Sequence, residues 1–353
     1  MDAELLVTRF PRAPRRPLLV ITTLTCLAVT CCTRAGSLQT EATLKRQPVE
    51  LHLVVKVPFR FVAYGDTRFT DPSNTEASNA AVRRTLVQGI ADAHPAFICI
   101  GGDISYNGDD ANDWKVWDSE TAIWRRKNIP VYPALGNHDL HGDQNVALDN
   151  YFRHFPELRA GRYYSVRAAN TLLLVLDSSL GETSGAQGEW LRHKFDAIAS
   201  DVDFVFVVLH HPPYTSSSDQ KEFGGGHSTR PSEHMLAEML EKYQQKLDAR
   251  IIVFASHVHN YERHQHGGIT YFVTGGGGAH AYPIARATTD LFRDTHVNYH
   301  YLLVEVNRKT VKIAMQRLDL THGKPEWTQP DAVEIAAAAS KPTAATGEYV
   351  RSH

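Results

Sequence analysis

The sequence predicts an α/β fold whose chemistry gathers at the carboxyl ends of its strands. Two observations carry this expectation. Short apolar runs rich in Val, Ile and Phe alternate with helix-period stretches, and five of those runs end in a cluster of Asp, Asn or His. After Gly268 the pattern turns mostly to strands, which predicts a strand-rich close to the domain.

Composition narrows the class. A chain of 353 residues with 42% hydrophobic and 22% charged residues can bury a sizeable core. The 37 Lys+Arg against 39 Asp+Glu exclude a broad basic footprint, so duplex nucleic acid is not an expected partner. One long apolar run lies near the N-terminus and the rest breaks into shorter pieces, which excludes a multi-span membrane protein. Four cysteines are too few for a disulfide scaffold. The 19 histidines, many beside Asp, Asn or Gly, point toward metal or proton chemistry.

Taken in order, residues 1–32 read as an export signal: Arg9, Arg12, Arg15 and Arg16, an apolar run from Pro17, then a polar exit. Cys31 and Cys32 at its end resemble the lipid-modified cysteine of a bacterial lipoprotein, and Arg15-Arg16 resembles a twin-arginine signal. The expected location is therefore outside the cytoplasm: periplasmic, attached to a membrane through an N-terminal lipid, or secreted. Residues 33–55 read as a tether, 56–320 as the catalytic domain, and 321–353, rich in Ala, Thr and Pro, as a mobile tail. Strands are predicted at Phe59–Tyr64, Ala96–Ile100, Val131–Leu135, Thr171–Leu176, Phe204–Leu209, Ile251–Phe254, Ile269–Thr274, Tyr301–Asn307 and Val311–Arg317. Val82, Leu86 and Ile90 share one helix face, as do Leu236, Leu240 and Tyr243; Trp114, Trp117 and Trp124 form a stripe read as core packing. Cys99 reads as a small buried hydrophobe.

The strand ends are the informative part. They read Gly65-Asp66-Thr67-Arg68, Gly101-Gly102-Asp103-Ile104-Ser105-Tyr106, Gly136-Asn137-His138-Asp139, His210-His211-Pro212 and Ser256-His257-Val258-His259. Ligands bind outside the carboxyl ends of strands in open α/β sheets. Neighbouring strands are about 4.8 Å apart, so such residues can share one ion or a pair of ions. One Gly-Asp is a common turn; five clusters, each at the end of a strand, describe a site.

This set resembles the calcineurin-like metallophosphoesterase superfamily over roughly residues 56–320, and within it the purple acid phosphatase-like branch. The resemblance rests on Gly102-Asp103-Ile104-Ser105-Tyr106, Val207-Val208-Leu209-His210-His211-Pro212 and His257-Val258-His259-Asn260-Tyr261-Glu262-Arg263, with Gly275–Gly278 beyond them. It implies a four-layer αββα sandwich. It also implies two metal ions: one held by Asp66, Tyr106 and His259, the other by Asn137, His210 and His257, with Asp103 bridging. Iron(III) paired with zinc, manganese or iron(II) would suit a phenolate, a carboxylate bridge and neutral imidazoles.

The activity implied is hydrolysis of a small phosphate ester by a hydroxide generated at the metal pair, with no covalent intermediate. A phosphomonoesterase is the first reading. A phosphodiesterase of nucleotides or lipid headgroups is the second, and a non-catalytic surface binding module stands outside the class. His138 is the expected general acid or phosphate donor, Asp139 its orienting carboxylate, and His227, after Gly224–Gly226, a second substrate-facing histidine. His211 is expected to point away from the site, since neighbours on an extended chain face opposite ways. Two positions depart from the family pattern. Ser256 replaces a glycine, and Arg68 stands where relatives carry His or Gly; its guanidinium would meet either a substrate phosphate or a nearby acid. No pattern in the sequence encodes an oligomeric state.

Overall fold

The computed structural model of the chain describes residues 48–158, 161–218 and 227–338. The predicted export signal, most of the tether, the glycines before His227 and the last residues of the tail lie outside the described residues.

Two mixed sheets form the centre. The first runs in the order β1 (Val49–Leu53), β5 (Tyr164–Ala168), β6 (Thr171–Val175), β7 (Phe204–Val208), β8 (Arg250–Ala255), β10 (Ile269–Thr274), β9 (Tyr261–His266). The second begins with β13 (Glu326–Thr328) and continues through β12 (Thr310–Asp319), β11 (Tyr299–Val306), β2 (Phe59–Tyr64), β3 (Ile98–Ile100) and β4 (Val131–Pro133). In addition, β14 (Ala332–Ala336) pairs with β12. The parallel blocks decide where chemistry can sit. β2, β3 and β4 are mutually parallel, with Val62 opposite Ile98 and Ile98 opposite Val131. β6, β7, β8 and β10 form a second parallel block. Parallel strands end on the same edge, so each block delivers its strand ends to one place.

Period-two alternation sorts the side chains into layers. Phe61 packs edge-on against Phe206 at 5.0 Å, joining the two sheets face to face, while Tyr64 on the other face of β2 meets Trp124 at 6.3 Å. That outer face is covered by α1 (Ala80–Asp92), α2 (Ala111–Glu120) and α3 (Ala122–Arg126). Asn79 caps α1 by accepting from the amides of Ala81 and Val82, and Asp110 caps α2 through Asn112. Trp114, Trp117 and Trp124 are all buried, and Trp124 Nε1 donates to the Val87 carbonyl at 3.0 Å. On the far side of the first sheet, α5 (Gly185–Asp196) and α6 (Pro231–Gln244) bury Leu191, Phe195, Leu236 and Leu240 against Val205, Val207, Ile251 and Val253. The helix α4 (Gln144–His154) follows the Asn137 turn, capped by Asp143. The layers are therefore helix, sheet, sheet, helix. Cys99 is buried in β3.

The fold extends past the expected limits of 56 and 320 at both ends. Residues 49–53, read as tether, form the edge strand β1, registered with Val49 opposite Tyr164. Residues 326–328 and 332–336, read as mobile tail, pair with β12. The physical reason is a set of anchors that composition hides. Val333 and Ile335 pack against the main core, each contributing on the order of 1 kcal/mol. Asp331 accepts from Arg263 through Nε at 2.7 Å and Nη2 at 2.9 Å, and from the Tyr261 hydroxyl at 2.7 Å. Trp327 fills the space over Gly89, where a Cβ would lie 2.7 Å from its ring. Asp331→Ala leaves a mostly buried guanidinium without its counter-charge. We expect a loss of about 3 kcal/mol, read as a lower midpoint in urea denaturation.

Candidate metal centre

Both parallel blocks deliver their strand ends to one seam. β2, β3 and β4 supply Asp66, Asp103 and Asn137, while β7 and β8 supply His210 and His257, with His259 just before β9. The turns there are sharp. Asp66, Arg68, Asp103 and His257 have φ of 56°, 43°, 52° and 71°. These are left-handed conformations that a residue with a side chain adopts at a cost, and four of the seven such non-glycine residues among those described lie in this one site. Gly102, with φ 94°, precedes Asp103, and a Cβ there would lie 2.8 Å from His210 Nδ1. Ser256 wedges its side chain between Gly65 and Gly101, so the serine fills space those glycines leave.

Buried acceptors face one another across the seam. Asp66 Oδ1 and His259 Nε2 are 3.7 Å apart, both buried and both without a hydrogen-bond partner. His259 Nδ1 lies 2.7 Å from the His280 carbonyl, which fixes the proton there and leaves a lone pair at Nε2. His210 is set in the same way. Its Nδ1 is 2.9 Å from the Gly101 carbonyl, so a neutral ring turns its Nε2 lone pair toward Asn137 Oδ1 at 2.9 Å and Asp103 Oδ1 at 3.4 Å. His257 Nδ1 stands 3.1 Å from the same nitrogen. Where a lone pair faces another in a buried place, as His210 Nε2 faces the Asn137 and Asp103 oxygens and His259 Nε2 faces Asp66 Oδ1, the two repel, and a cation between them turns the repulsion into attraction. Two such groups share Asp103: one of Asp66 and His259, one of Asn137, His210 and His257. The residues present fit a pair of metal ions.

The charges are unequal. Burial raises the Asp66 carboxyl well above its usual range, and the neighbouring Asp103 charge adds to this. Burial pushes Asp103 the same way, but the Arg68 guanidinium and the His138 amide oppose it and the carboxyl lies below the usual range. Burial pulls the imidazoles of His210 and His259 down, which keeps them as neutral ligands.

The remaining predicted residues fall in different places. Tyr106 stacks on His138 with ring centroids 5.3 Å apart, and its carbonyl lies 2.7 Å from His138 Nδ1. Its ring thus packs on His138, while its amide donates to the Phe69 carbonyl at 3.1 Å. His138 Nδ1 then carries the proton and Nε2 is left to face outward; burial lowers the ring to about 4, against the pull of Asp103. His227 lies over His257 and His259, at 4.8 and 5.8 Å between ring centroids, with Nδ1 buried and unpartnered.

Asp139 requires a correction. It does not orient His138. Its fully buried carboxylate accepts from the amides of Ile104 at 2.9 Å, Ser105 at 3.1 Å and Gly136 at 2.9 Å. It ties the turn after β3 to the turn after β4, because amides at those turns have no ladder partner. His211 also differs from expectation. The chain has left β7 and bends before Pro212, so strand alternation no longer applies, and the His211 ring packs on His257 at 4.3 Å. Its Nδ1 is 2.8 Å from Ser178 Oγ, which turns the ring. Sequence reasoning missed Ser178 and Tyr282; Tyr282 stands 5.4 Å from both His227 and His259 and carries no motif signal.

The comparisons with known proteins agree with this geometry. The model of the calcineurin-like phosphoesterase family matches residues 59–261. The chain is 26% identical to purple acid phosphatase 23 of Arabidopsis thaliana over 240 residues, covering 58% of this chain and 48% of that protein. It is 27% identical to purple acid phosphatase 5 of the same plant over 226 residues, covering 62% and 48%. The chain thus spans about half the length of the curated relatives it matches. Among solved structures, purple acid phosphatase PPD1 from yellow lupin (Lupinus luteus) seeds superposes with a TM-score of 0.60 at 17% identity, covering 86% of this chain and 58% of that one. GAP50, the anchor in the inner membrane complex of Plasmodium, gives 0.56 at 15%, covering 81% and 90%. At those identities the likeness is one of fold.

The electrostatics have measurable consequences. The raised Asp66 carboxyl holds a proton at a pH where an ordinary aspartate has lost it, and a cation must displace that proton. Metal binding should therefore release protons, and apparent affinity should rise with pH through that range. Calorimetry in buffers of different ionisation enthalpy checks the sign. Asp66→Asn removes the cost of keeping a buried carboxyl protonated, so the metal-free protein should melt higher while losing part of its metal-induced rise in Tm. Asp139→Ala frees the two turns, and metal affinity should fall about 10- to 100-fold, measured by competition with a chromophoric chelator.

Proposed function

The chain belongs to the calcineurin-like phosphoesterase family, and on that premise we propose that it is a two-metal hydrolase of small phosphate monoesters. The observation that carries the proposal is the gathering of two groups of potential ligands about one shared carboxylate, Asp103, with Asp66 Oδ1 and His259 Nε2 buried and without a donor. One ion would rest on Asp66, His259 and Asp103, with Tyr106 as the phenolate the resemblance implies. The other would rest on Asn137, His210, His257 and Asp103. Two cations there would polarise the phosphoryl oxygens and bring the pKa of water toward neutrality. One relative is named an Fe(3+)-Zn(2+) purple acid phosphatase. That supports iron(III) with zinc, manganese or iron(II) as the pair to test first.

The protein's own side chains complete the site. His138 is fixed at three points: its amide donates to Asp103 Oδ1 at 2.9 Å, Nδ1 meets the Tyr106 carbonyl, and its ring lies between Tyr106 and His141. This leaves Nε2 to meet the ester oxygen that departs, to which it can give a proton only when the ring carries a second one. His227, on the opposite side over His257 and His259, would meet the phosphoryl group itself. Residues 1–32 support a place outside the cytoplasm, and among the described residues no helix is long and apolar enough to cross a membrane.

The names of the relatives support the monoester; the same seam would serve a diester with a second ester arm. The test is hydrolysis of a nitrophenyl phosphate monoester and its bis-ester by the full chain loaded with iron and zinc. Monoester preference is expected, and His138→Ala should lower kcat by roughly 10² to 10⁴ at unchanged metal content. Diester preference would replace the substrate class. Two bound metals with no turnover of either ester would favour a binding module instead.

A further inference from the structure

Among the described residues, Arg68 is the positive side chain set into the seam beside the shared carboxylate. Its Nε and Nη2 lie 3.3 and 3.2 Å from Asp103 Oδ2, while Asp103 Oδ1 faces His210. The two oxygens of the expected bridge are therefore divided: Oδ1 looks to the Asn137–His210–His257 group, and Oδ2 is held by a guanidinium. The pair is well enclosed, with the Arg68 side chain 14% exposed and Asp103 fully buried.

This placement is built into the backbone. Arg68 has φ 43°, a conformation that suits glycine and strains a side chain. It is pinned there from both sides. Its amide donates to the Asp103 carbonyl at 2.9 Å, and its own carbonyl accepts from Nη1 of the buried Arg83, which is itself paired with Glu120. A guanidinium keeps its charge, so its own deprotonation does not free Asp103.

We propose that Arg68 is a resident counter-cation that competes with one of the two metal ions, so that the centre loads in two unequal steps. The first ion binds at Asn137, His210, His257 and Asp103 Oδ1, where no positive side chain intervenes. The second, at Asp66, His259 and Asp103 Oδ2, must first displace the guanidinium and then bind beside its charge. In the metal-free protein Arg68 neutralises part of the charge of two buried aspartates, which stabilises the empty fold. This inference rests on the two-cation reading above and concerns the order and affinity of loading.

The test counts zinc ions on the full chain after chelation, by calorimetry and elemental analysis. The unaltered protein should bind one zinc tightly and a second at least tenfold more weakly. Arg68→Gly suits the left-handed backbone and so should fold; Arg68→Gln keeps the bulk and removes the charge. Both should strengthen the weaker step by roughly tenfold or more and leave the tighter one in place. His259→Ala should delete the weaker step and His257→Ala the tighter one. Two equal steps in the unaltered chain, or a weaker step unmoved in both Arg68 variants, would overturn the proposal. Binding of no zinc by any variant would instead overturn the two-cation reading beneath it.

Discussion

Asp103 leaves the end of β3 in a left-handed conformation and carries a negative charge into a place closed to water. An isolated carboxylate there would cost several kcal/mol. Its two oxygens are relieved unequally, because the Arg68 guanidinium pairs with Oδ2 alone. At Oδ1 one amide donates, that of His138, and His210 Nε2 stands 3.4 Å away. The arrangement persists because the sheets on either side over-determine it. Tyr64 and Ile100 end parallel strands held in register by ladder bonds, and a Cβ on Gly101 or Gly102 would strike Ser256 or His210. The strained turns and the one-sided pairing of Asp103 are maintained by the two cores, not by the site itself.

That division of labour explains why both sheets are needed. The turns after β2, β3 and β4 bring the carboxylates and the amide, and the turns after β7 and β8 bring imidazoles. Neither sheet alone gathers a full set of donors. Phe61 packing against Phe206 and Phe254 fixes the distance between the sheets. The spacing of His210 from Asp103 is thus a property of an aromatic cluster deep in the core. A change in core volume there would be felt at the site as a change in ligand separation.

Much of this is legible in the sequence for a physical reason. Buried parallel strands must be continuous apolar runs, and polar residues directly after them have few places to go but the edge where the strands end. Hence the apolar runs alone locate Asp66, Asp103, Asn137, His210, His257 and His259 at one edge. What stays hidden depends on contacts between distant segments. Nothing near Asp139 says that its acceptors would be taken by amides of 104, 105 and 136, and nothing near Asp331 announces Arg263 and Tyr261, about seventy residues earlier. The strand Ala332–Ala336 does alternate, with Val333 and Ile335 inward, but its alanine-rich surroundings mask five residues of pattern. His211 escapes the pattern because strand alternation holds only as far as the strand does.

Burial and residue type do not by themselves distinguish a metal site from a structural cluster; the supply of donors does. Glu262, His264 and Asp290 are all buried and lie as close together as the residues of the seam. Yet Glu262 accepts from the Thr215 hydroxyl and the Ser216 amide, and its other neighbour is His264 Nε2 at 3.0 Å. Asp290 accepts from the amides of Arg263 and Phe292 and from the Arg286 guanidinium. Of that cluster's side-chain atoms, His264 Nδ1 is the one left over. These acids already have donors, so the cluster ties the 215–216 loop to β9 and leaves no carboxylate oxygen waiting for an ion. Asp139 is the same case inside the catalytic loops: fully buried, but supplied with amides. Asp66 Oδ1 and His259 Nε2 have no such supply. Two buried acceptors that face each other without a donor between them mark where a cation belongs.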